Sequence, residues 1–250
     1  MCTNRKSNKR SYDPIQRAEE TARILSRGDQ RKYYRFRAAR FYGGIATADC
    51  LGCCLRCLFC WSWDKVVRSV RYGDFYSPQQ VAEKLITIAR KKRFRQVRIS
   101  GNEPSIARDH LLKVIERIPE DIRFILETNG ILIGHDSTYA RDLSRFGNLH
   151  VRVSVKGTQE AEFSCLTGAA SSGFGLQLAA LEHLHRFNVA THPAVMVSFS
   201  SPENIEALRG RLRKIDEAFE DFEVEVLMPY GTVEKRLKKA GISYKSIHVP

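Results

Sequence analysis

Three cysteines, Cys53, Cys57 and Cys60, follow the spacing C-x3-C-x2-C within the stretch Cys-Cys-Leu-Arg-Cys-Leu-Phe-Cys, and Phe59 stands just before the last of them. Three thiolates on one short loop can hold three irons of a [4Fe–4S] cube and leave the fourth iron without a protein ligand. An iron in that state can bind a substrate or a cofactor, so the motif suits chemistry rather than simple electron storage. Five of the seven cysteines fall between Cys50 and Cys60. Such clustering in a reducing compartment points to metal ligation, because a disulfide framework would spread its cysteines along the chain. Cys2 and Cys165 stand too far from the others to argue for a second cluster, so one cluster is expected.

The elements that must position this loop read as an α/β alternation. Phe41–Thr47 is expected as the first strand, feeding directly into the cysteines. Further strands are expected at Gln96–Ser100, Arg123–Glu127, Val151–Val155, Ala194–Phe199 and Phe222–Leu227. Helices alternate with them. One starts at Ser77-Pro78-Gln79-Gln80, with a Ser cap, Pro at the first helical position and Gln at the capping-box position. Others lie near Asp109–Ile118, Gln159–Leu166 and Gly175–Arg186, and Ser201-Pro202 opens one that runs to about Phe219. This order predicts a parallel sheet with right-handed crossovers, either an incomplete barrel or a strongly curved open sheet. In both, reactive groups collect at the C-terminal ends of the strands. Polar residues stand there: Gly101-Asn102-Glu103-Pro104 after the second strand, Thr128-Asn129-Gly130 after the third, Ser154 and Lys156 at the fourth. Each has an ordinary structural explanation, such as a tight turn or a solvated lysine. Their agreement along successive strands favours a site.

Composition bounds the rest. At 250 residues and 43% hydrophobic, the chain can bury a full core. No apolar stretch reaches the roughly 18–20 residues of a membrane span, and the basic N-terminus lacks the apolar segment of a secretory signal, so a cytoplasmic protein with no membrane association is expected. Residues 1–45 carry twelve Lys and Arg against four acids, the larger part of a formal charge of +13. A polyanion surface, for tRNA or an acidic partner, is one reading, and a solubilising tail is the other. Tyr33, Tyr34 and Phe36 interleave with Arg31 to Arg40 in a pattern able to stack on bases.

From Phe41 to about Leu227 the chain resembles the radical S-adenosylmethionine (radical SAM) enzymes. The cysteine loop with Phe59 carries their signature. Gly101-Asn102-Glu103-Pro104 corresponds to the family's Gly-Gly-Glu-Pro turn, with Asn in place of the second glycine, and Glu127-Thr128-Asn129-Gly130 resembles a third-strand ending seen in many members. The resemblance implies a partial (β/α)6 barrel, a parallel sheet with outer helices over residues 41–230, with a basic extension over 1–40 and a tail over 231–250. It implies that Cys53, Cys57 and Cys60 ligate a [4Fe–4S] cluster whose fourth iron is chelated by the amino and carboxylate groups of S-adenosylmethionine. An electron from an external donor of flavodoxin or ferredoxin type would then split the sulfonium into methionine and a 5′-deoxyadenosyl radical, which takes hydrogen from a substrate. Gly101, Asn102 and Glu103 would receive the cofactor's amino group through backbone oxygens or the Glu103 carboxylate. Phe59 would lie against the adenine, Lys156 would pair with the cofactor carboxylate, Ser154 would bond carboxylate or ribose, and Asn129 joins the cofactor-binding set. Cys50 and Cys54 fall outside the family's spacing and are read as packing residues.

The resemblance also frames the substrate. Ser154-Val155-Lys156-Gly157, with Glu162-Phe163 and Leu166-Thr167-Gly168 beyond it, is similar to the fourth-strand region of glycyl-radical-enzyme activases, which usually have Asp where Ser154 stands. This favours a protein substrate. Cys60-Trp61 is similar to the wybutosine-type tRNA enzymes, which carry further cluster cysteines. A different class, a zinc or iron–sulfur module for nucleic-acid binding or electron transfer, would require a fourth ligand, and the seven histidines form no zinc-finger pair.

Overall fold

The computed structural model describes residues 11–244. In chain order its elements are α1 (Pro14–Leu25), β1 (Ser26–Arg27), β2 (Gln30–Ala39), β3 (Ile45–Cys50), α2 (Trp63–Val67), β4 (Asp74–Tyr76), α3 (Pro78–Lys92), β5 (Gln96–Ser100), α4 (Arg108–Ile115) and β6 (Arg123–Thr128). There follow α5 (Ile131–His135), α6 (Ser137–Leu143), β7 (Leu149–Val155), α7 (Glu160–Thr167), α8 (Ser172–Arg186), β8 (Thr191–Met196), α9 (Pro202–Arg213), β9 (Glu223–Glu225) and α10 (Val233–Lys239). One sheet runs β1-β2-β3-β5-β6-β7-β8-β9, with β4 paired to β2. From β3 to β9 every pairing is parallel, while β1, β2 and β4 are antiparallel additions at one edge. Six parallel strands with alternating helices make a partial (β/α)6 barrel, as the alternation requires.

The strand residues divide by face. Ala46, Ala48, Val97, Ile99, Phe124, Leu126, Val151, Val153 and Val155 join Val81 and Leu85 of α3 and Ala180, Leu181 and Leu184 of α8 in the main buried core. Thr47, Asp49, Arg98, Ser100, Glu127, Arg152 and Ser154 alternate with them and occupy the opposite, concave face. Parallel strands covered on both faces read as continuous apolar runs, so this alternation marks the second face as largely polar.

Several elements differ from the sequence reading. The first parallel strand is Ile45–Cys50 rather than Phe41–Thr47, because Gly43 and Gly44, at φ of 76° and 122°, turn the chain out of β2 and place Phe41 and Tyr42 in the hairpin bend. Residues 14–39, expected to lie outside the barrel, form α1, β1 and β2, and β2 pairs with β3 of the sheet. Asp13 caps α1 by accepting from the Ile15 amide at 2.8 Å, with Pro14 at the first helical position. The proposed stacking pattern is a half-buried strand: Tyr33 is 1% exposed and packs on Phe36, Tyr76 and His110. Arg5, Lys6, Lys9, Arg10, Cys2 and His248 lie outside the described residues. Helix α9 ends at Arg213, short of Phe219, because the Asp216 side chain accepts from the Ala218 amide at 3.0 Å and begins a separate turn. The tail holds α10, whose Val233 and Leu237 are buried in the core. Among the described residues, no helix is long and apolar enough to cross a membrane.

Candidate active site

All six parallel strands deliver side chains at their C-terminal ends. The loop after β3 carries the cysteines, and its two stems are tied to the turn after β5. The Asn102 side chain accepts from the Gly52 amide at 2.8 Å and donates to Ser62 Oγ at 3.2 Å, so one residue bridges the chain before Cys53 and the chain after Cys60. Glu103 N–H donates to Gly52 O at 2.9 Å. A Cβ at Gly101 (φ 101°) would sit 3.0 Å from Asp49 Cα, so only glycine lets this turn lie so close to the end of β3. Asn at 102 therefore preserves the backbone approach and adds two side-chain ties.

The Glu103 carboxylate turns inward. It is 1% exposed and accepts four hydrogen bonds: from Ser105 N (3.1 Å), Ser105 Oγ (2.7 Å), Thr128 Oγ1 (2.6 Å) and Asn129 N (2.7 Å). It thus joins the β5 and β6 ends. Its backbone oxygen accepts as well. Arg31 of β2, 1% exposed, donates to Glu103 O at 2.6 Å, to Leu51 O at 3.2 Å and to Pro104 O. Gly101 O accepts from Asn102 Nδ2 at 2.6 Å. Asn129 donates through Nδ2 to Cys54 Sγ at 3.3 Å and Cys53 Sγ at 3.6 Å, and its backbone oxygen accepts from Gln177 at 2.6 Å. Its place is against the cysteine loop.

On the other side stand Ser154 of β7 and Lys156 just beyond it, with Glu225 of β9, a residue the sequence reading passed over. Ser154 Oγ donates to the Glu225 carboxylate at 2.9 Å, Lys156 Nζ donates to Ser154 Oγ, and Lys156 Nζ lies 3.5 Å from Glu225 Oε2. Arg152 reaches Glu225 at 2.8 Å and Glu223 at 2.7 Å. Burial pushes the Glu225 carboxyl up, but Lys156 and Arg152 together outweigh it and hold the group below the usual carboxylate range. The Lys156 ammonium lies 5.9 Å from the centre of the Phe59 ring. Phe59, 9% exposed, packs against Phe199 beyond β8, with ring centres 5.5 Å apart. Phe199 is a second aromatic wall that had no spacing signal in the sequence, and Glu225 could have been inferred only from its position at a strand end.

The thiols of Cys50, Cys53, Cys54, Cys57 and Cys60 are all free. Burial pushes the Cys57 thiol well up, with the Cys53 and Cys60 charges adding to the rise and Lys156 opposing it; Cys60 is pushed up to about 11, chiefly by burial and then by Cys53. The Cys53 thiol is drawn down by a hydrogen bond from Cys54, whose own thiol rises. Cys50 and Cys54 are both fully buried, Cys50 against the Arg31 guanidinium at 3.5 Å and Cys54 against Asn129. Among the described residues, no three His, Cys, Asp or Glu side chains converge to hold a single metal ion. A cube asks for something else: soft thiolate ligands, each on its own iron, and an adjoining cation to offset the negative charge. Three free thiols on one loop beside Lys156 fit that demand. Where Cys53, Cys57 and Cys60 take irons, their protons leave on binding.

Comparison with known proteins agrees with this geometry. The sequence model of the Radical SAM superfamily matches residues 50–212. A probable GTP 3',8-cyclase of Methanococcus vannielii is 32% identical over 118 residues, covering 46% of this chain and 37% of that protein. The probable GTP 3',8-cyclase of Thermoplasma volcanium is 26% identical over 121 residues, covering 48% and 34%. Among solved structures, Streptococcus suis SuiB bound to precursor peptide SuiA superposes with a TM-score of 0.58 at 17% identity, covering 72% of this chain and 38% of that one. The structure of anSMEcpe with bound AdoMet gives a TM-score of 0.55 at 20% identity, covering 71% and 49%. At these identities the structural likeness concerns the fold. The chain spans about a third of the length of the curated relatives it matches.

Proposed function

The chain belongs to the radical SAM superfamily, and we propose that within it this protein uses Cys53, Cys57 and Cys60 to hold a [4Fe–4S] cluster and abstracts hydrogen from a polypeptide substrate. A cluster held by Cys53, Cys57 and Cys60, with an electron from a flavodoxin- or ferredoxin-type donor, would supply the reductive cleavage of S-adenosylmethionine that starts hydrogen abstraction. The chain's own groups do the positioning. Asn102 and Glu103 fix the loop and the turn against each other. Lys156 offers a compact positive charge for the cofactor carboxylate, with Ser154 as its neighbour, and Phe59 with Phe199 supplies an apolar wall for the adenine. The observation that carries this reading is the convergence of the cysteine loop with Lys156, whose ammonium lies 5.9 Å from the centre of the ring of Phe59, the residue just before Cys60.

The polypeptide reading is supported over tRNA by the fate of the basic segment. Tyr33 is in the core, Arg31 is buried among backbone carbonyls, and Arg35 and Arg37 both bind Asp49, at 2.6 and 2.9 Å. The Ser154–Gly168 region and the peptide-bound SuiB support it further. A second reading, a guanine nucleotide, is favoured by the likeness to GTP 3',8-cyclases.

The test is anaerobic reconstitution with iron and sulfide, followed by dithionite and S-adenosylmethionine. We expect 5′-deoxyadenosine from the native chain and none from Cys57→Ala. Equal amounts from both would overturn the reaction assignment. If GTP accelerates 5′-deoxyadenosine formation and is itself converted, the polypeptide reading gives way to the nucleotide one.

A further inference from the structure

Arg236 of α10 reaches back 176 residues in sequence to bond the backbone oxygen of Cys60 through Nη2, and it bonds Leu58 O through Nε at 3.0 Å. Nη1 is held by Thr232 Oγ1 at 2.6 Å, and the guanidinium lies 5.0 Å from the centre of the Trp63 ring. Two amides of the same tripeptide are also engaged: Leu58 N–H donates to Leu166 O and Cys60 N–H to Cys57 O, both at 2.9 Å. Leu58-Phe59-Cys60 is therefore held from α7 on one side and α10 on the other. Val233 and Leu237 anchor α10 in the core, so Arg236 is presented from a seated helix.

We propose that Arg236 is a positioning residue of the cysteine loop, which closes the Leu58–Cys60 segment and sets a fixed positive charge beside Cys60 that makes a bound cluster easier to reduce. This rests on the reading that Cys53, Cys57 and Cys60 hold a [4Fe–4S] cluster. Reduction adds one electron, supplied by the external donor, and the cluster becomes more negative by one unit. A cation one residue from a ligand stabilises the reduced form over the oxidised one, and charge and hydrogen bonding around a cluster are recognised levers on its potential. A planar fork is needed as well as a charge, because the two carbonyls are met by different nitrogens of one guanidinium.

The test compares native protein, Arg236→Gln and Arg236→Lys after anaerobic reconstitution, by a dithionite titration followed by electron paramagnetic resonance and by the rate at which a chelator strips iron. Arg236→Gln should show a more negative midpoint potential and faster iron loss. Arg236→Lys should keep the potential near native and still lose iron faster, since one ammonium cannot hold both carbonyls. Should Arg236→Gln not fold, Thr232→Val, which removes only the Nη1 partner, should move iron loss in the same direction by less. Native potential and native iron release in Arg236→Gln would overturn the inference, and so would an equal shift of potential in the Gln and Lys variants. If the native chain itself assembles no cluster, the failure belongs to the proposed function.

Discussion

The two sides of the site spend their polar groups differently. On the side of β5 and β6, Asn102, Glu103 and Asn129 have their side chains bonded within the protein, and Glu103 accepts from four donors while 1% exposed. On the side of β7 and β9, Lys156 and Glu225 keep side-chain exposures of 16% and 19% and meet at 3.5 Å. A buried network whose members bond one another specifies geometry. A partly solvated ion pair can exchange one partner for another at small cost. The first side is thus a frame for the loop, and the second is where a charged ligand can be received.

The sharpest way to break this contrast is to remove the frame's centre. Glu103→Ala strands the Thr128 and Ser105 hydroxyls and two amides in a dry interior, at a cost of about 4 kcal/mol. The expected outcome is a large drop in the urea midpoint of protein prepared without S-adenosylmethionine. A native midpoint combined with lost cofactor binding would instead put Glu103 on the ligand side. Lys156→Met should do the converse. The dissociation constant for S-adenosylmethionine, measured calorimetrically on cluster-loaded protein, should rise about tenfold or more, as expected for a hydrogen bond to a charged group. Its unfolding free energy should change by no more than about 0.5 kcal/mol.

This division also explains what could be read from the chain beforehand. The parallel strands were legible because Val97, Ile99, Val151 and Val153 alternate with polar residues, and the α3 start because Ser77, Pro78 and Gln80 form a complete capping box. The cysteine spacing is local, so the loop was legible too. Arg31 and Arg236 were not. Each acts over a long sequence separation by donating to backbone carbonyls, an acceptor that every residue carries and no side-chain pattern announces. The basic segment was misread for the same reason: composition counts Arg31 as a charge for the surface, whereas its acceptors bury it. Glu103 was recognised as special, but no local pattern links it to Thr128 and Asn129, two of the residues that donate to it.

Asn102→Gly is a milder probe of the frame. It installs the residue that the turn more often carries and deletes the ties to Gly52 N and Ser62 Oγ, so both loop stems loosen together. We expect a loss of about 1–2 kcal/mol in urea unfolding, one modest hydrogen bond for each tie, with the barrel otherwise unchanged. Unaltered stability would show that the backbone approach at Gly101 alone sets the loop, and the frame would shrink to Glu103 and Arg31.

The smallest effect is on pH dependence, and it probes the far end of the ligand-receiving side. Glu223, facing Arg152, His192 and Tyr42, is drawn down to about 2 by hydrogen bonds from Arg152 and His192. His150, 2.6 Å from His192, is pushed down to about 4 by burial and then by its neighbours His192 and Arg123. In both cases the unfolded chain binds the proton more readily than the folded one, so stability rises with pH across each window. Glu223 contributes above its ordinary pKa of 4.5, and this is lost as pH falls towards 2. His150 favours the fold above 6.5, and this is lost as pH falls towards 4. Glu223→Gln should flatten the lower window of a stability-against-pH curve and leave the upper one, and His150→Gln should do the reverse. If either variant flattens both, the chain from His150 through His192 and Glu223 to Arg152 titrates as one unit, and the ion pairs of the receiving side are as tightly bound together as the frame opposite them.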